Sequence, residues 1–246
     1  MLITEKDVRK KYDESNEFKE YVVPRDALIT PAAKEYLLDR KIKVIFEKTG
    51  SEGFKESSLV YFDLNGRKYL NKPEHLTHLK GNILVPKEHP RIVLRGRLDS
   101  LQSKIIETQI LAEKLDNKKL SDDLQEVLVF VRGLVRAEVM EEKVHNQEIL
   151  GMSFDEIHDR SHNPLKFYGV PHLLIDREMG EIAVALNLLR SESREVEIAA
   201  YKAFSLNNDS VSRLDIITSL NRLNSCFYIM IFGNFPRGYK PRPSGI

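Results

Sequence analysis

Cysteine is almost absent from this chain of 246 residues, and several other features are missing as well. The one cysteine, Cys226, excludes an intrachain disulfide framework and suits a reducing cytosol, and its apolar neighbours predict a core position. The longest apolar run, 226–232, is far too short to span a membrane and is expected to be a buried helix end. Charged residues within 5–9 interrupt any secretory signal, so we expect a cytoplasmic protein.

A concentrated basic face is also missing. The formal net charge is +1, and basic clusters such as the pair Lys118-Lys119 and the segment 237–242 are short. Both are short enough to be solvated ends. Because binding to a phosphate backbone needs a dense basic surface, we expect no nucleic-acid partner.

The organisation of the chain changes near residue 95. Before it, 21–23 and 42–46 have the composition of strands, Thr30-Pro31 is typical of a helix start, and 63–66 is typical of a hairpin turn. These signals predict a small α/β extension over residues 1–80.

The remainder predicts a mainly α protein, a five-helix bundle over residues 81–235 with a flexible tail over 236–246. Candidate helix starts are Ser121, Asp209 or Ser210, and Ser153, which has capping-box spacing to Glu156. The loop 163–177 is long for a bundle and is expected to act as a binding lid. The predicted helices lie near 96–116, 121–144, 153–162, 179–206 and 211–232.

One charged stripe is the most informative motif. Arg190, Arg194 and Glu197 have spacings of four and three, which place them on one face of a helix, and Asn221-Arg222-Leu223 follows in the next helix. Two guanidiniums one turn apart can grip a polyphosphate, and a carboxylate can hold one of them in position. The alternative is an intrahelical salt-bridge ladder on an exposed helix.

This pair of helices resembles the C-terminal half of the ATP:corrinoid adenosyltransferases of the propanediol-utilisation (PduO) superfamily. A second block, 85–91 followed by 98–101, is similar to the family's lysine, proline and arginine and to the acidic residue that opens its first core helix. The ethanolamine-utilisation (EutT-type) branch is more similar still. Its resemblance runs from about the second residue to about the thirtieth from last, through the segments 28–37, 72–79, 158–165 and 186–190.

The resemblance implies that the cobalt of cob(I)alamin attacks the ribose C5′ of ATP, that adenosylcobalamin forms and that triphosphate leaves. Fixed cations and Mg²⁺ would stabilise that leaving group. The implied catalytic residues are Arg190, Arg194 and Asp99. The implied ATP-binding residues are Thr77, Lys87, Arg190, Arg194, Glu197, Asn221 and Arg222, with Glu197 and Asp99 orienting arginines within a helix or across a subunit boundary.

The resemblance also implies that apolar side chains displace the lower axial ligand of cobalt. The candidate corrinoid-binding residues lie in the long loop and are Phe167, Tyr168, His172, Leu173 and Leu174. Simple packing of the loop onto the bundle is the alternative for each of them.

Two family features are missing. The glycine-rich phosphate loop is replaced by 76–82, which has one glycine, although Thr77, Lys80 and Asn82 offer side-chain contacts. The cysteine cluster of several ethanolamine-type members has no counterpart near Phe62 and Asn65, so we expect no iron or zinc site. The histidines at 78, 158, 162 and 172 are expected to be hydrogen-bond partners, and only His158 and His162 have the spacing of a two-ligand helix.

The function predicted from this resemblance is ATP-dependent corrinoid adenosylation that serves ethanolamine utilisation. The implied partners are an electron-donor reductase, microcompartment shell or enzyme proteins, and further copies of the chain, with a trimer favoured and a dimer as the alternative. A catalytically reduced corrinoid- or ATP-binding carrier or sensor is the competing interpretation, suggested by the two missing features. The extension is separately interpreted as an interaction module for a microcompartment.

Overall fold

The computed structural model describes residues 2–14, 19–24, 27–46, 60–206 and 210–234. It divides into two compact units, Met1–Ser57 and Ser58–Ile246. The sequence places the domain boundary after residue 80, within the second unit, and that boundary stays a prediction. The predicted tail at 236–246 and the candidate helix start Asp209 lie outside the described residues.

The first unit alternates short strands and helices. β1 pairs in parallel with β3, and β2 pairs in parallel with β4, so two small sheets form. Thr30 caps α2 as predicted, because its hydroxyl accepts a hydrogen bond from the Ala33 N–H and Pro31 needs no such bond. The elements are β1 (Leu2–Ile3), α1 (Glu5–Glu14), β2 (Glu20–Val23), β3 (Leu28–Ile29), α2 (Pro31–Asp39) and β4 (Lys43–Phe46).

The second unit opens with a four-stranded sheet in the order β6-β5-β8-β7. The predicted hairpin joins β5 to β6, and Gly66 has a φ of 79°, a backbone conformation that favours glycine. β7 and β8 form a second antiparallel hairpin. The strands are β5 (Tyr61–Asp63), β6 (Lys68–Tyr69), β7 (Leu76–Lys80) and β8 (Ile83–Pro86).

The predicted five-helix bundle follows. Its core of leucine, isoleucine and valine side chains is buried between the long helices, and Cys226 belongs to it, as predicted. The helices are α3 (Pro90–Lys114), α4 (Lys118–Val139), α5 (Phe154–His162), α7 (Gly180–Phe204) and α8 (Leu214–Phe232); a short hairpin of β9 (Glu148–Ile149) and β10 (Met152–Ser153) precedes α5. The capping box of Ser153 and Glu156 is present.

Some predicted helix boundaries were wrong. α3 begins at Pro90, because the His89 ring accepts a hydrogen bond from the Arg91 N–H and caps the helix. Asp99 therefore lies in the third turn of α3 and does not open it. α4 begins at Lys118, where Asn117 is the cap, and Ser121 instead donates a hydrogen bond to Glu113.

The long loop after α5 also differs from the prediction. It contains a short helix, α6 (Pro164–Tyr168), which ends at Gly169, and a 3₁₀ turn at Arg177–Met179. Proline at the first helical position and a glycine with a φ of 67° at the end explain why this segment turns. Among the described residues, no helix combines the length and the apolar composition needed to cross a membrane.

Candidate active site

The predicted stripe on α7 faces residues of α8 through a chain of polar contacts. The Asn221 amide donates to Glu197 Oε1 at 3.0 Å, and Arg222 Nη1 donates to Asn221 Oδ1 at 2.6 Å. Glu197 thus orients an amide, and the amide orients a guanidinium. Arg222 Nε is buried and has no hydrogen-bond partner among the described residues.

Arg190 is held at both its backbone and its side chain. Its Nη1 donates to Asn187 Oδ1 at 3.2 Å, and its carbonyl accepts from the Asn224 amide at 2.9 Å. The guanidinium carbon also lies 5.4 Å from the centre of the Tyr228 ring, within the range of a cation–π contact. These contacts fix the direction of the guanidinium without a carboxylate.

Arg194 is exposed and has no hydrogen bond or ion pair in the part of the chain that the structure describes. A salt-bridge ladder on α7 would need Arg190 or Arg194 to pair with a glutamate of the same helix. Neither pair exists among the described residues, so the ladder interpretation of this stripe is not supported.

The predicted corrinoid-binding residues meet α8 at two places. The Tyr168 ring stacks on Phe232 with centroids 4.6 Å apart, and the Leu173 N–H donates to the Tyr228 hydroxyl at 3.0 Å. His172 Nδ1 lies 3.2 Å from the same hydroxyl. Two further candidates, Phe167 and Leu174, are exposed by 38% and 67% respectively, and the Lys166 ammonium lies 4.5 Å from the centre of the Phe167 ring.

Three other predicted residues have no hydrogen bond or ion pair to the α7–α8 residues within the described ranges. Lys87 pairs with Glu74 at 3.2 Å, Thr77 lies on β7 opposite Val85, and the Asp99 side chain is exposed on α3. Their place in an ATP site stays a prediction.

A buried carboxylate that the sequence did not single out holds the β7–β8 hairpin against the bundle. Glu138 has no exposed surface, and it accepts from Arg91 Nε at 2.6 Å and from Arg95 Nε at 2.5 Å. Arg95 also donates to the carbonyls of His78 and Leu79, which lie in β7. A second carboxylate nearby extends this ionic cluster.

That second carboxylate is Glu141, which pairs with Arg91 at 3.0 Å and with Lys80. The hydrogen bond from Lys80, with that from Arg91, holds the pKa of Glu141 below its usual range. Lys80, which the sequence offered as a phosphate contact, therefore has a structural partner here.

The histidine pair on α5 forms a compact contact. The centres of the His158 and His162 rings lie 4.1 Å apart. His162 Nδ1 is 2.9 Å from the His158 carbonyl oxygen, which can accept a hydrogen bond from it. Within the described ranges, no group of three His, Cys, Asp or Glu side chains could hold a metal ion. His78 contacts the Tyr61 ring edge to face.

Comparison with known proteins gives the arrangement its context. A model of the family described as "Cobalamin adenosyltransferase" matches residues 70–232. The chain belongs to this family of transferases. Corrinoid adenosyltransferase EutT of Salmonella typhimurium strain LT2 is 31% identical over 237 residues, covering 88% of this chain and 86% of that protein. The protein of the same name from Escherichia coli K12 is 32% identical over the same shares.

Solved structures of the family support the fold assignment. Two variants of the PduO-type ATP:corrinoid adenosyltransferase from Lactobacillus reuteri, both complexed with cobalamin and ATP, are similar to this chain with TM-scores of 0.51 and 20% identity. The matches cover 65% and 68% of this chain and 89% and 95% of those chains. At this identity they establish the mainly helical family fold.

The sequence reasoning missed two residues that complete the α7–α8 face. Asn224 and Tyr228 lie three and seven residues after Asn221, the spacings that continue its helical stripe. Extending the N-R-L motif by that periodicity would have found both. Glu138 offered no local signal, because its partners lie more than forty residues away in sequence.

Proposed function

We propose that this protein transfers the 5′-deoxyadenosyl group of ATP to cob(I)alamin, with release of triphosphate. The observation that carries the proposal is the α7–α8 face, where Arg190 and Arg222 donate to amide oxygens and Arg194 lies exposed one turn after Arg190. Together with membership in the cobalamin adenosyltransferase family, three arginines without a carboxylate partner among the described residues favour a polyphosphate ligand.

In the proposed reaction the cobalt electron pair forms a bond to the ribose C5′, and the bond from C5′ to the triphosphate oxygen breaks. The departing oxygen gains negative charge, which the arginines would stabilise, Arg190 and Arg222 from positions held before the reaction. Asn187 and Asn221 hold Arg190 and Arg222 through neutral amide oxygens. The full positive charge of Arg190 and Arg222 is therefore available to the leaving group.

Mg²⁺ is part of the proposal as a counter-ion to the triphosphate. It prefers oxygen ligands and usually binds through phosphates, water and one or two carboxylates, so the Glu197 carboxylate and a bound triphosphate fit its chemistry. No dedicated protein cage is needed. Lys87 and Thr77 are proposed to contact ATP from the β7–β8 side.

The corrinoid is proposed to bind beside the loop 163–177, where exclusion of the lower axial ligand would make cobalt easier to reduce. Phe167 and Leu174 are exposed apolar side chains that suit such a role, whereas Tyr168 and Leu173 already contact α8 or the core. An electron-donor protein would then supply the electron for cob(I)alamin.

The decisive experiment mixes the purified protein with chemically reduced cobalamin and MgATP and follows adenosylcobalamin by absorbance. We expect one triphosphate for each adenosylcobalamin formed, and no product when ATP is omitted. With Co(II) corrinoid and MgATP, electron paramagnetic resonance should detect a four-coordinate species. If the protein binds corrinoid that stays five-coordinate and forms no adenosylcobalamin, the enzyme interpretation fails and the carrier or sensor interpretation replaces it.

A homo-oligomer with sites between copies is also proposed. Asp99 is exposed without an ion pair among the described residues, and it could orient an arginine across such an interface. A groove of about 510 Å³ between α3 and α7 includes the exposed Ile106, Ile110 and Leu188. A second copy would cover this apolar surface, as a trimer or, alternatively, as a dimer.

The interface has a matched test. Ile110→Glu should dissociate the oligomer in sedimentation experiments, because it places a charge in the groove. Val129→Glu is the control, since Val129 is exposed by 58% on α4, away from that groove. Equal sedimentation of both variants and the wild type would refute this interface.

Service in ethanolamine utilisation is proposed from the EutT relatives, which match 88% of the chain. Expression in a bacterium that lacks its own ethanolamine-linked adenosyltransferase should restore growth on ethanolamine with unadenosylated cobalamin.

The Met1–Ser57 unit is proposed to dock to microcompartment proteins. Its removal should abolish co-sedimentation with intact microcompartments; retained co-sedimentation would refute that role.

A further inference from the structure

Tyr228 contacts both halves of the proposed site. It is half-buried on α8, its ring lies beneath the Arg190 guanidinium, and its hydroxyl accepts the Leu173 N–H at 3.0 Å. The His172 ring stacks nearly parallel to it, with centroids 6.2 Å apart and 14° between the planes. One side chain therefore joins the triphosphate-side arginine to the loop proposed for the corrinoid.

The position of Tyr228 follows from helical periodicity. Asn221, Asn224, Tyr228 and Phe232 are spaced by three or four residues, so they form one stripe along α8. Asn224 holds the Arg190 backbone, and Phe232 meets the Tyr228 ring edge to face at 5.1 Å. The phenol ring consequently lies between Phe232 on its own helix and the Arg190 side chain of α7.

The hydroxyl and the ring of Tyr228 have separate partners. Burial raises the pKa of Tyr228, although the Leu173 N–H and the Arg190 charge oppose this, so the phenol stays neutral at physiological pH. A neutral hydroxyl can accept a hydrogen bond from the Leu173 N–H and form a second hydrogen bond with His172 Nδ1. The ring alone provides the surface for Arg190, and removing the oxygen leaves that surface intact.

We propose that Tyr228 is a positioning residue that sets the corrinoid-side loop at 172–173 relative to the Arg190 guanidinium. This inference rests on the proposed adenosyltransferase function. Because attack of cobalt on C5′ requires both substrates in one geometry, a loop held by the same side chain that supports the arginine aligns the two reacting atoms.

The test uses Tyr228→Phe, which removes only the oxygen. We expect the KM for corrinoid to rise about 3- to 10-fold, the effect of one neutral hydrogen bond. The KM for ATP should stay within about twofold, because the cation–π contact is retained. The four-coordinate fraction of Co(II) corrinoid should fall in the electron paramagnetic resonance spectrum. Tyr228→Leu, which also removes the ring, should raise both KM values.

Tyr69→Phe is the matched control, because it also removes a hydrogen-bonded hydroxyl, which here donates to Asp63 on the β5–β6 hairpin, and it should match the wild type. His172→Ala removes the second loop contact of the Tyr228 hydroxyl and should change the corrinoid KM in the same direction. Thermal unfolding of each variant identifies any loss of fold.

The outcomes separate the inference from the function. If the wild type forms no adenosylcobalamin, the proposed function fails and the inference fails with it. If the wild type is active and Tyr228→Phe keeps its corrinoid KM and its cobalt spectrum, the function stands and the positioning role is refuted. An equal rise of both KM values in Tyr228→Phe also refutes it, because the hydroxyl would then support general packing.

Discussion

Replacement of Arg194 by lysine is the sharpest test of the triphosphate assignment. Arg194 is exposed and has no partner among the described residues, so no described contact explains it as a structural residue. Lysine keeps the charge and the helix propensity but loses the planar fork that binds two phosphate oxygens at once. The substitution therefore separates the geometry of the guanidinium from its charge.

The expected loss is large in activity and small in stability. Removal of one transition-state donor costs ~2–4 kcal/mol, which is about a 30- to 900-fold loss in kcat/KM. An exposed substitution of this kind changes the free energy of unfolding by less than about 0.5 kcal/mol. The assays are adenosylcobalamin formation at varied ATP concentration and thermal unfolding of the same preparations.

Arg132→Lys is the control, because Arg132 is also exposed on a long helix, α4, outside the stripe. It should keep wild-type kinetics. Wild-type turnover in both Arg190→Ala and Arg194→Ala would refute the assignment of the stripe to triphosphate.

Two further substitutions, one thiol-labelling experiment and one metal experiment provide separate tests. Glu138→Gln should lower the free energy of unfolding by about 3 kcal/mol in denaturant titrations, since it takes the buried carboxylate from two partly buried arginines and leaves Arg91 only Glu141; an unchanged midpoint would contradict this. Burial raises the pKa of Cys226 to about 12, so a thiol reagent at pH 8 should react only after unfolding. Asn187→Asp should raise the KM for ATP, because a carboxylate would neutralise Arg190. Protein purified in chelator should regain full activity with Mg²⁺ alone; activity that depends on bound iron or zinc would show otherwise.

Periodicity and capping signals predicted most of the bundle. Five amphipathic segments became the five main helices, and the Ser153 capping box formed as expected because both of its contacts are local. The predicted start of α4 was wrong because Asn117 and Ser121 are both residue types that cap the N-terminus of a helix well. The choice between them depends on Asp116, whose φ of 54° reverses the chain just before the helix. Sequence alone does not encode that turn visibly.

The site was predictable only where its contacts follow one helix. Arg190, Arg194 and Glu197 could be assigned to one face from spacing, and the link between Glu197 and Asn221 agrees with that face. Contacts between distant segments left no such signal. The bond from the Leu173 backbone to Tyr228 spans fifty-five residues and involves a backbone donor that any residue but proline supplies.

The partners of the arginines distinguish two kinds of site in this chain. Arg91 and Arg95, which are partly buried, neutralise the fully buried carboxylate of Glu138, and their hydrogen bonds to it attach α3 to α4. Arg190 and Arg222 instead donate to the amide oxygens of asparagines, which orient a guanidinium without cancelling its charge.

An uncancelled charge in a fixed direction has little value for stability, since neutral acceptors give weaker hydrogen bonds than carboxylates do. It has high value for an anion that arrives later, because no ion pair must break and no side chain must reorient. The amide partners of Arg190 and Arg222 therefore favour a phosphate-binding role for α7 and α8, and the carboxylate partners of Arg91 and Arg95 favour a structural role for the first turns of α3.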